Sequence, residues 1–149
     1  MDDLTRLAAE SGLEVSTAHL PGDLLGAYLP EQRRILLDAR LTPVERRCVL
    51  AHELGHAHYG HRHVGAPGAL SAATAAQERQ ADLYAARLLI SADAYERAER
   101  LGSGAEFLAD ELEVTADLID AYRQWLDRGP PRPATHAEPA RPGDAGPPS

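Results

Sequence analysis

Two histidines four residues apart, with a glutamate directly after the first, stand near the middle of this chain as His52-Glu53-Leu54-Gly55-His56. The pattern constrains the local fold severely. Residues i and i+4 share one face of an α-helix with Cβ atoms about 5–6 Å apart, which lets both imidazoles reach one zinc ion at roughly 2.0–2.1 Å. The flanking sequence supplies that helix independently. Thr42-Pro43-Val44-Glu45 offers a capping threonine, a proline at the first helical position and a glutamate at the third, which together form a capping box. Gly60 is placed to end the helix after about Tyr59. Cys48, Leu50, Ala51 and Leu54 put apolar residues around it, so the spacing predicts a buried helix, with Cys48 as a small core residue.

Glu53, one residue along from the first histidine, points to the side of the ligand pair. There its carboxylate reaches a metal-bound water instead of the metal, as a general base requires. A purely structural zinc usually takes four protein ligands, often cysteines, and this chain has one cysteine. A zinc with an open position for water needs a third protein ligand, and the best candidate is Glu78 in Gln77-Glu78-Arg79-Gln80-Ala81-Asp82. If that helix packs beside the first, Glu78 and Asp82 face the site together. Asp82 then accepts a hydrogen bond from the second ring nitrogen of a ligand histidine and fixes its tautomer. Taken alone, the run reads as a solvated helix face; with the upstream motif, Glu78 reads as a ligand and Asp82 as the support of a ligand histidine. His58, His61 and His63 extend the histidine cluster and are read as solvated, with contact to substrate or to an oxyanion as the functional alternative.

Around this centre the chain reads as α+β. Leu4, Leu7 and Ala8 give a first helix over Asp3–Ser11 that closes at Gly12. Leu13–Leu20, Leu24–Leu29 and Arg34–Asp38, separated by the turn-forming clusters Pro21-Gly22-Asp23 and Pro30-Glu31-Gln32, predict a small antiparallel sheet. A loop over Gly60–Ala73 precedes a second long helix over Ala75–Ile90. Shorter helices are expected at Ala92–Arg100, Ala105–Leu112 and Ala116–Asp127, with Ser91 and Thr115 as N-caps of the first and last. One domain therefore spans 1–128. Residues 129–149 hold seven of the eleven prolines and three glycines, too little apolar area to order itself, and a disordered tail is expected.

The charge narrows the partners. With 15 Lys+Arg against 23 Asp+Glu the net charge is −8, which opposes attraction to phosphate backbones and anionic lipid surfaces, so direct nucleic-acid or membrane binding is not expected. A vague helix-turn-helix pattern over Glu106–Trp125 meets the same objection, because Asp110, Glu111, Glu113, Asp117 and Asp120 face only Arg123 nearby. The start Met-Asp-Asp-Leu-Thr-Arg has no signal-peptide pattern, no apolar run approaches bilayer-spanning length, and the lone cysteine suits a reducing compartment, so a cytoplasmic protein is expected.

The run Leu50-Ala51-His52-Glu53-Leu54-Gly55-His56, then Glu78-Arg79-Gln80-Ala81-Asp82, then Tyr84-Ala85-Ala86 and Leu88-Leu89-Ile90, resembles the ImmA/IrrE metallopeptidases. These are bacterial and phage proteins often associated with helix-turn-helix repressors. The resemblance covers roughly residues 1–125. It implies a minimal zincin-like α+β domain, zinc held by His52, His56 and Glu78, Glu53 as the catalytic residue, and a partner helix-turn-helix transcriptional repressor as the substrate of an endopeptidase. The alternative is a non-enzymatic module, stabilised by zinc, that acts by binding the repressor. Gln80 stands where the family often has a second acidic residue, and Ser91 where proline often follows the Leu-Leu run.

Overall fold

The computed structural model describes residues 2–61 and 72–129, with side chains over 3–61 and 75–129. The Pro/Gly-rich segment expected to be disordered, from Pro130 on, and most of the predicted loop, including His63, lie outside the described residues. The elements in chain order are α1 (Asp2–Glu10), β1 (Glu14–Ala18), β2 (Gly26–Leu29), a short 3-10 turn (Pro30–Gln32), β3 (Arg34–Asp38), α2 (Pro43–His58), α3 (Ala72–Leu89), α4 (Ala92–Leu101), α5 (Ala105–Leu112) and α6 (Ala116–Arg128). The class is α+β.

The sheet is mixed, which corrects the antiparallel expectation. Its order is β1-β3-β2; β2 runs antiparallel to β3, but β1 runs parallel to it, with Val15 opposite Ile35. The turn cluster after β1 does not form a hairpin. Residues 19–25 instead carry the chain past the end of β3, where Asp38 accepts from the backbone N–H of Leu20 at 2.9 Å and of Arg40 at 3.0 Å. The Arg40 guanidinium closes on the same carboxylate at 2.7 Å and on the Leu20 carbonyl at 3.2 Å. Arg40 and these backbone donors hold the Asp38 carboxyl well below the usual carboxylate range. β3 is thus the central strand, and its apolar run Ile35-Leu36-Leu37 is the signature of a strand with neighbours on both edges. Ile35 and Leu37 are fully buried.

α2 begins with the capping box: Thr42 Oγ1 accepts from the Glu45 N–H at 3.2 Å, and Glu45 Oε1 accepts from the Thr42 N–H at 2.9 Å. It packs across β2 and β3 with Leu50, Ala51 and Leu54 buried against Tyr28, Ile35 and Leu37. α3 covers the other side of α2, starting three residues earlier than the sequence suggested, and α6 packs on α3 with α5 behind it. Ser91 caps α4 by accepting from the Ala94 N–H at 3.1 Å. Thr115 stands at the N-cap position of α6 but makes no capping bond with its side chain. Cys48 is buried in the core, and that burial pushes its thiol up. No described helix is long and apolar enough to cross a membrane.

Candidate metal centre

The site exists because α2 and α3 touch. A Cβ on Gly55 would lie 3.0 Å from the Ala81 Cα, 3.1 Å from the Ala81 carbonyl and 3.1 Å from the Tyr84 Cβ. Only a glycine facing an alanine lets the two backbones approach this closely, and the approach brings the side chains of α3 across the histidine face of α2. Gly55, directly before the second histidine of the motif, is therefore what sets the distance between the two halves of the site.

On that face His52 Nε2 lies 3.0 Å from Glu78 Oε1, His56 Nε2 lies 3.0 Å from Glu78 Oε2, and the two Nε2 atoms are 3.1 Å apart. Asp82 Oδ1 is 2.8 Å from His52 Nδ1, so the far side of that ring is held by a carboxylate one helical turn beyond Glu78. His52, His56, Glu78 and Asp82 are all brought together. The three inner residues lie close enough to bind a metal, with their ligand atoms within 4.8 Å of one another. Separations of 3.0–3.1 Å are near the roughly 3.3 Å edge of a tetrahedron built on zinc bonds of about 2.05 Å, and two imidazole nitrogens with one carboxylate are a donor set that zinc accepts.

The electrostatics favour a positive charge at this point. Burial works against charge on His52, but its hydrogen bonds to Asp82 and Glu78, with the negative charge of Glu53, outweigh that and push it up to about 10. Hydrogen bonds from His52 and His56 hold Glu78 well below the usual carboxylate range. His52 thus holds its proton strongly while Glu78 stays ionised, and a divalent cation bound here would displace that proton.

Glu53 lies against the start of β2 and is 6% exposed. A Cβ on Gly26 would lie 3.2 Å from Glu53 Oε2 and 2.6 Å from Val49 Cγ1, so the glycine at the start of β2 leaves the room this carboxylate occupies. Glu53 Oε1 is buried without a hydrogen-bond partner among the described residues. Burial, reinforced by the charge of Glu78 and opposed by His52, pushes the Glu53 carboxyl up to about 7. A carboxyl poised there can both take and return a proton near neutral pH.

One neighbour of the site was misread as solvated. His61 is buried at 7% exposure; its Nδ1 lies 2.9 Å from His56 Nδ1 and its Nε2 lies 2.8 Å from Gln80 Oε1. The signal was Gly60, whose φ of +70° turns the chain back over the end of α2. His58, by contrast, lies among Tyr59 and Tyr84 with ring centroids 4.9 Å from each.

Residues 7–121 match the sequence profile of the IrrE N-terminal-like domain, a peptidase family. No curated protein matches the chain in sequence. Among solved structures, a Mycobacterium tuberculosis transcriptional regulator aligns with a TM-score of 0.63 at 21% identity, covering 87% of this chain and 42% of the regulator. The chain thus spans less than half the length of that protein, and the likeness is one of fold. With a match over most of its described length, a compact α+β fold and a triad able to bind a metal, the chain belongs to the IrrE N-terminal-like domain family of peptidases.

Proposed function

We propose that this chain is a zinc-dependent endopeptidase that cuts an extended segment of a partner protein, a helix-turn-helix transcriptional repressor. The observation that carries the chemistry is the convergence of His52 Nε2, His56 Nε2 and the Glu78 carboxylate within 3.0–3.1 Å, together with a buried Glu53 carboxylate, one oxygen of which has no partner among the described residues. When bound, zinc supplies an activated water and polarises the scissile carbonyl. Glu53 removes the proton from the attacking water and delivers it to the leaving amine, a role suited to a carboxyl pushed up to about 7. Asp82 holds the His52 ring in register through Nδ1. Among the described residues β2 pairs on one edge only, with β3, and its first residue abuts Glu53. An unfolded substrate segment added to the free edge would lie beside the proton carrier. A repressor as partner rests on the family resemblance and agrees with the regulator name carried by the similar structure.

The test is a gel time course with the repressor encoded nearest to this chain, run with zinc-loaded protein and with Glu53→Gln. The amide keeps the side-chain shape and leaves the metal ligands intact, so zinc content and repressor capture should persist while cleavage falls by roughly 10²–10⁴-fold. Equal cleavage by both proteins would remove Glu53 from the mechanism. If neither cuts while both relieve repression in cells, the non-enzymatic module is the right description.

A further inference from the structure

α2 ends in a Schellman motif. The Gly60 N–H donates to the Ala57 carbonyl at 3.1 Å and the His61 N–H to the His56 carbonyl at 2.9 Å, with Gly60 in the left-handed region. In this motif the residue after the glycine packs its side chain on the residue five positions earlier, usually as an apolar contact. Here the two residues are His61 and His56, and the contact is a hydrogen bond between their Nδ1 atoms at 2.9 Å. The pair is joined twice, once through backbone and once through side chains.

The direction of that bond follows from its neighbours. His56 turns Nε2 toward Glu78 and His52, so a metal there needs the Nε2 lone pair, and the ring proton must sit on Nδ1. That N–H donates to His61 Nδ1, which then holds a lone pair, leaving the His61 proton on Nε2. His61 Nε2 faces Gln80 Oε1 at 2.8 Å, an acceptor that requires that proton. The reverse direction would put a protonated Nε2 of His56 against the metal and a lone pair of His61 against a carbonyl oxygen. Both ends of the chain therefore select the same polarity.

We infer that His61, placed by the Gly60 turn and backed by Gln80, is the positioning residue for His56, fixing the ring orientation and tautomer that present Nε2 to the metal. It does for His56 what Asp82 does for His52, but through neutral groups, so the two rings are supported unequally. Gln80 serves here as a hydrogen-bond acceptor that adds no negative charge, which gives a physical use to the amide at this position.

The inference rests on the zinc reading, and the experiment separates the two. Zinc affinity is measured by competition with a chromogenic chelator for the wild-type protein, His61→Leu and His61→Gln, with metal-free melting curves as a control on folding. His61→Leu is expected to weaken zinc binding roughly 10–100-fold, and His61→Gln, which restores an acceptor, to recover most of the loss. Imidazole 15N spectra of the zinc-loaded wild type should show His61 protonated on Nε2 only. A His61 protonated on Nδ1, or a His61→Leu variant that binds zinc as tightly as wild type, overturns the inference alone. Failure of the wild-type protein to bind zinc overturns the zinc reading and this inference with it. Should His61→Leu fail to fold, the wild-type tautomer decides.

Discussion

Glu53 shows how much a single side chain can be worth when its surroundings are apolar. Its carboxyl is raised from an ordinary 4.5 to about 7, chiefly by burial, so the fold tolerates its neutral form better than its charge. A raised folded-state value means that the favourable contribution is fully present below about 4.5 and is lost as the pH rises through about 7. In metal-free protein, wild type should therefore lose stability relative to Glu53→Gln across that window, by up to about 3 kcal/mol. Urea unfolding of both proteins at pH 4.5, 6 and 8 reads this directly, and a difference that stays flat with pH would show that the carboxyl is not held in this way. Neither Oε1, without a partner among the described residues, nor Gly26 against Oε2 has a counterpart in the sequence pattern. The place of Glu53 in the motif leads one to expect it beside a metal site; that its own burial raises it was not readable, since this depends on how close β2 runs to α2.

At the level of elements, what could be read locally was read well. α2 announces itself through its capping box, Pro43 and Gly60, all of which act within a few residues, and its buried character follows from apolar side chains on every face. Sheet topology was illegible for the opposite reason. The parallel partner of β1 lies 20 residues away, and the choice between hairpin and crossover is made by Asp38 and Arg40 gripping the connecting segment from outside it. Thr115 takes the expected N-cap position without the capping bond, a detail of side-chain orientation that residue type alone does not determine. The contact between α2 and α3 suggests a sharper test than any ligand substitution. Gly55→Ala adds one methyl group against the Ala81 backbone, which has nowhere to move except outward. It should cost about 1–3 kcal/mol of stability, and by widening the gap between Glu78 and the two histidines it should weaken zinc affinity more than a surface substitution of equal stability cost. Isothermal titration with zinc beside an equally destabilised control variant would show it; equal affinities would mean that the helix spacing does not govern the site.

For the molecule as a whole, the triad draws two ligands from α2 and one from α3, so an ion there would tie the layer resting on the sheet to the helices packed behind it. Binding that exists only in the folded state adds stability as RT ln(1 + [L]/Kd), about 2.7 kcal/mol at one hundred times Kd. Stripping zinc should lower the melting temperature by several degrees, and Glu78→Ala should abolish the increase that zinc restores. A melting temperature indifferent to chelator would argue that the cluster holds no ion in solution.

The strand order also dictates the sequence of events as the chain folds. β2 and β3 are joined by four residues and can zip together early, whereas β1 must wait for its docking edge to exist and then close a span of about twenty residues, at an entropic cost that grows with the length enclosed. Trimming Val15 in β1 to alanine should chiefly hasten unfolding, and trimming Tyr28 in β2 should chiefly slow refolding, as stopped-flow chevrons would register. On that timetable the edge beside Glu53 is in place before β1 docks, so the ledge proposed to receive the substrate does not depend on completion of the sheet.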